Sequence, residues 1–127
     1  MLGLDLDQTK GAWPQPFRTL SQTLPGDLPD AIIGAIRVGF RRLSNPAQKA
    51  LATAATLDNP TTTERIGKGA RLDGDKLDTA LDELEWQRWL TADARGYSWV
   101  ARIVRDVVER DMITGGQKFR IQKAAGE

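Results

Sequence analysis

The chain has 127 residues and neither a cysteine nor a histidine. The first absence excludes disulfides, thiolate nucleophiles and the usual zinc sites. The second removes histidine general bases, and Ser-His-Asp triads with them. Residues 1 to 20 contain no apolar run of seven, and no stretch approaches the roughly 20 apolar residues that span a bilayer. No cleavable leader, no membrane segment and, by default, a cytoplasmic location are expected. Charge of one sign is also missing: the formal net charge is +1 and no basic block exceeds Arg41-Arg42. A nonspecific polyanion binder is not indicated, so any nucleic-acid surface has to be local. What remains, 40% hydrophobic and 28% charged residues, is the balance of a folded chain of single-domain size, short for an enzyme with a cofactor domain.

Residues 1–28, with Gly11, Pro14, Pro16, Pro25 and Gly26, show no sustained periodicity and read as an irregular N-terminal arm bearing Trp13 and Phe17. A domain over 29–114 follows. It opens with a leading helix over 29–43 whose Ile32, Ile33, Ile36, Phe40 and Leu43 recur at helical spacing. Gly34 and Gly39 in that helix suggest close approach of a neighbour. Asn45 is placed as the cap of the next helix, with Pro46 at its first position, Gln48 reaching back to the cap, and an inward face of Ala47, Ala50, Leu51, Ala54 and Leu57. Thr61-Thr62-Thr63-Glu64 starts a short second helix, and Gly67 to Leu72 reads as a turn. Asp73 then caps a third helix with the stripe Leu77, Ala80, Leu81 and Leu84. Leu90-Thr91-Ala92, the polar turn Asp93 to Gly96, and Tyr97-Ser98-Trp99-Val100 read as a hairpin. Ile103, Val104, Val107, Val108 and Met112 describe a final helix, leaving a tail over 115–127 in which Phe119-Arg120-Ile121 suggests a short strand or a packed extension.

Helix, helix, helix, hairpin, helix over residues 45 to 108 is the order of a winged helix-turn-helix. The expected fold is therefore mostly α with a small β-hairpin, a winged helix with an extra N-terminal helix. Its third helix is the element that such folds usually insert into DNA, and here it is acidic. Asp73, Asp75, Asp78, Asp82, Glu83 and Glu85 oppose only Lys76 and Arg88, a formal charge of −4 over residues 73 to 89. Phosphates would repel that surface. Asp75, Asp78, Asp82, Glu85 and Trp86 are accordingly the candidate protein-interaction residues. The same carboxylates three or four residues apart could suit a metal or an acid-base pair, but with no histidine or glycine-rich loop converging on them they read as a solvated or partner-facing strip. No catalytic residue, metal ligand or cofactor is expected. For DNA, the candidates are Arg65, Lys68 and Arg71 around the second helix, with Arg95 at the wing tip; three phosphate contacts imply a salt slope of about −2.7. Trp86 and Trp89 read first as a core cluster with Trp99 where helix meets hairpin, and as a docking anchor if exposed.

The run Leu28-Pro29-Asp30-Ala31-Ile32, then Leu43-Ser44-Asn45-Pro46-Ala47-Gln48, then Leu81-Asp82-Glu83-Leu84, and finally Tyr97 through Arg105 resembles the winged-helix segment that follows the nucleotide-binding core in STAND-class, AAA+-related P-loop ATPases and related bacterial transcriptional regulators. The likeness covers residues 28 onward. It implies a module that packs on an ATPase core in cis, or on another protein, and moves with nucleotide state. Two departures limit it. Ala101 stands where that family has the histidine that in several members helps hold nucleotide, and no GxxxxGK[ST] occurs, so ATP phosphates are not cradled by this chain alone. The expectation is a non-enzymatic regulatory or protein-interaction module, either a piece of a larger ATPase or a stand-alone relative, with a DNA-binding transcription regulator as the alternative.

Overall fold

The computed structural model describes residues 29–126, and the expected arm over 1–28 lies outside the described residues. Helix α1 (Asp30–Arg42) buries Ile36 and Phe40, and Ile32 and Ile33 pack partly against the core. The close approach expected at its glycines is absent at Gly34, where an added Cβ would meet nothing within 4 Å. Instead α1 is tied to α5 (Arg102–Asp111) by Arg37, whose guanidinium lies 3.0 Å from Asp111.

Helix α2 (Asn45–Thr56) begins one residue earlier than expected, with Ser44 as its cap accepting from the Ala47 amide at 3.2 Å. Gln48 does not close a capping box; its amide donates to the carbonyls of Phe40, Arg41 and Leu43. The reason is in α4 (Gly74–Trp86): Glu83 accepts from the Ser44 amide at 2.9 Å and from its hydroxyl at 2.6 Å. The carboxylate that accepts from the cap residue thus comes from another helix, which pins the α1–α2 corner to α4. The expected inward face of α2 is buried in full.

Helix α3 (Thr63–Ala70) is capped by the Thr62 hydroxyl and runs through Gly67 and Gly69, so the turn is shorter and later than the expected 67–72. Arg71 in the left-handed region, φ 60, closes α3 with Leu72 donating to Gly67 at 2.9 Å, a Schellman end built on arginine. The two glycines are spacers inside the helix. A Cβ at Gly69 would lie 2.5 Å from the Thr53 methyl and 3.3 Å from Ile121, and one at Gly67 would lie 2.9 Å from Leu77. Asp73 occupies the cap position of α4 as expected, but its side chain makes no capping bond. Leu77, Ala80, Leu81 and Leu84 are buried.

Strands β1 (Leu90–Asp93) and β2 (Gly96–Trp99) pair antiparallel in the register Leu90 to Trp99, Thr91 to Ser98, Ala92 to Tyr97 and Asp93 to Gly96. Thr61 adds a bridge to Tyr97, with amide–carbonyl bonds of 2.9 and 2.8 Å that join the α2–α3 connection to the wing. Of the two expectations for the tail, the packed extension holds and the strand does not. Thr114 and Gln117 form a complete capping box, and residues Gly115–Ala124 are helix α6, not a strand. Ile121 joins the same hydrophobic cluster as α1, α2, α4 and α5, and α6 lies mainly against α3 and α2. The architecture is mostly helical with a small antiparallel hairpin, in winged-helix order. No described helix is long and apolar enough to cross a membrane.

Candidate functional site

The burial of Leu77, Ala80, Leu81 and Leu84 fixes the rotation of α4. At about 100° per residue, Glu85, Asp78, Asp82 and Asp75 then fall within one arc of about 80° on the outer side. All four are exposed. Trp86 comes nine residues after Leu77, half a turn out of phase, and is 78% exposed at the edge of this arc. The expected tryptophan cluster therefore holds only two of its three members. Trp89 is buried at 3% exposure and meets Phe40 edge to face, ring centroids 6.5 Å apart, and Trp99 donates its indole N–H to the Ala54 carbonyl at 3.4 Å. The separation of Trp86 from Trp89 follows from the end of α4. Arg88 adopts φ 65 and Trp89 donates to the Leu84 carbonyl at 2.9 Å, which breaks helical phase and swings Trp89 inward.

Asp82, Glu85, Trp86 and Arg88 line a shallow concavity of about 440 Å³. Tyr97 of β2 lies within the field of the same carboxylates. Burial first, and then Glu85, Asp82 and Asp78, push its phenol above the ordinary value. Tyr97 and Arg88 were not among the sequence candidates. The hairpin register pairs Tyr97 with Ala92, but only the packing of the wing beside α4 shows which helix face it meets. Glu83, counted in the acidic charge of the helix, points the other way and is occupied by Ser44.

The DNA candidates are not brought together as a free cationic set. Arg95 donates its backbone N–H to Asp93 at 2.8 Å, and its guanidinium lies 2.9 Å from the other Asp93 oxygen. That pairing holds Asp93 below the usual carboxylate range, the side-chain bond from Arg95 being the main cause. The wing tip is thus close to neutral. Arg65 is part-buried and lies 3.6 Å from Asp58. Lys68 and Arg71 are exposed, Arg71 in the left-handed turn after α3. Ala101 is buried at the cap of α5 and offers no polar side-chain group. Among the described residues, no group of three or more carboxylates is placed to hold a metal ion. No protein-family model, curated protein or solved structure matches the chain.

Proposed function

We propose that this chain is a non-enzymatic regulatory or protein-interaction module that presents the outer face of α4 to protein and not to DNA. The observation that supports this reading most directly is the exposure of Trp86 beside Asp75, Asp78, Asp82 and Glu85. An exposed indole next to a rim of charge has the composition of an interface centre. The same four carboxylates would oppose phosphate in a groove. The resemblance to STAND-class ATPases makes a nucleotide-binding core, in cis or in a separate protein, the first partner to consider, in a signalling ATPase or a transcriptional regulator. Ala101 leaves the nucleotide contact itself to that core.

DNA binding is the second reading, favoured by the exposure of Lys68 and Arg71 at the α3–α4 turn. Two exposed cations imply weak binding with a salt slope of only about −1.8. Duplex DNA should show no salt-sensitive mobility shift with the chain at micromolar concentration. A shift that disappears in Lys68→Ala or Arg71→Ala would reverse the order of the two readings.

A further inference from the structure

We propose that the acidic face of α4 in one copy docks on the basic, aromatic face of α6 in a second copy, a head-to-tail contact that rests on the reading of α4 as a protein-facing surface. Helix α6 holds Lys118, Arg120 and Lys123 and no acidic residue. Phe119 is 63% exposed there with the Lys123 ammonium 5.6 Å from its ring, and Arg120 is exposed beside it. Lys118 is already paired with Glu109 at 3.3 Å, which leaves Arg120 and Lys123 as the cations of this face. Helix α4 is its complement in sign: four exposed carboxylates and one exposed indole. Trp86 and Phe119 are also the two exposed aromatics among the large hydrophobic residues standing out from the described surface.

The two faces do not serve each other within one chain. Helix α4 packs chiefly on α2 and β1, whereas α6 packs chiefly on α3 and α2. A contact between unlike faces is heterologous, so each copy added leaves one α4 face and one α6 face open, and assembly continues unless a ring closes. The carboxylates and the guanidinium of Arg120 supply the register. The aromatic pair, including a cationic side chain over the indole of Trp86, supplies the desolvated centre.

Charge reversal on the full chain tests this. Sedimentation velocity across micromolar to millimolar concentration should show wild-type association that weakens on raising the salt. The double variant Asp82→Lys with Glu85→Lys, and separately Arg120→Glu with Lys123→Glu, should each stay monomeric with unchanged circular dichroism, all four side chains being exposed. Mixed in equal amounts the two variants should associate again, because the α6 face of the first meets the α4 face of the second with native signs. A wild-type chain that is monomeric throughout, association untouched by either reversal, or a mixture that stays monomeric would each overturn the head-to-tail contact. If duplex DNA is also left unshifted, only the second-copy assignment falls and α4 remains protein-facing; a DNA shift dependent on Lys68 or Arg71 would remove the underlying reading as well.

Discussion

Gly96 adopts φ +127, and a Cβ there would stand 2.4 Å from the Thr61 carbonyl oxygen. Both the backbone angle and the neighbour exclude a side chain, because the Thr61–Tyr97 bridge draws the α2–α3 connection against the start of β2. Gly96→Ala should lower unfolding free energy by about 2 kcal/mol or more in chemical denaturation. A change within measurement error would mean that the bridge is not maintained in solution. Asp111 tests a different bond. The hydrogen bond from Arg110 is the main reason its carboxyl lies below the usual range; burial opposes this and Arg37 adds to it. With the folded value lowered, the stabilisation is present above the ordinary carboxylate value, 3.8, and is lost as pH falls through the folded value. Asp111→Asn should therefore flatten the stability profile in that acid range, and a variant profile parallel to wild type would argue against the pairing. Tyr97 is the one tyrosine in the chain, so its ultraviolet titration is unambiguous. It should ionise above the ordinary value. Asp82→Asn with Glu85→Gln should bring it part of the way back, burial being the larger cause. Its sign for stability is the reverse of that of Asp111: the contribution is complete below the ordinary phenol value and is lost as pH rises through the folded one.

At the scale of the element, the ends of helices separate what could be read in the chain from what could not. The buried stripes of α2, α4 and α5 were legible because apolar periodicity alone fixes which face turns inward. The end of helix α3 is hidden for a physical reason: glycine usually marks a left-handed stop, yet here Gly67 and Gly69 make room for Leu77, Thr53 and Ile121, and arginine takes the stop. Arg71→Gly should consequently raise stability by about 0.5 to 1 kcal/mol, the roughly 1 to 2 kcal/mol that a left-handed conformation costs a residue with a Cβ being partly offset by glycine's larger entropy when unfolded. A loss instead would show that the Arg71 side chain contributes more than its backbone costs. The cap of α2 falls on Ser44 and not on Asn45 because the carboxylate that holds Ser44, Glu83, lies 39 residues away in sequence. Glu83→Ala should cost about 1.5 kcal/mol, the range for a hydrogen bond to a charged group. Helix α6 is masked in the sequence although Thr114 and Gln117 carry a capping-box signal, because Gly115 and Gly116 between them look like a stop. Trp86 was legible in principle, being half a helical turn out of phase with Leu77. Its separation from Trp89 is not legible, because nothing in the sequence marks Arg88 as the residue that breaks the phase.

Over the whole molecule, charge is divided between surfaces while the total stays near zero. The carboxylates lie outward on α4, the exposed cations Arg120 and Lys123 lie on α6, and the wing tip cancels internally through Asp93 and Arg95. Net charge therefore says little about partners here. That division also supports the proposed ranking of protein over DNA, because the segment expected to enter a groove carries the repelling sign while the wing offers no net attraction. The candidate site was legible as a set of carboxylates but not as a surface. Its indole, its concavity and the phenol beside it depend on how α4 ends and where the hairpin folds back. A different consequence follows from Ile121, which fills the space that Gly69 leaves above the Thr53 methyl. A product trimmed back to residue 114 would lose that plug and wet an apolar seam, so the shortened chain should bind hydrophobic dyes and precipitate where the longer one stays dissolved.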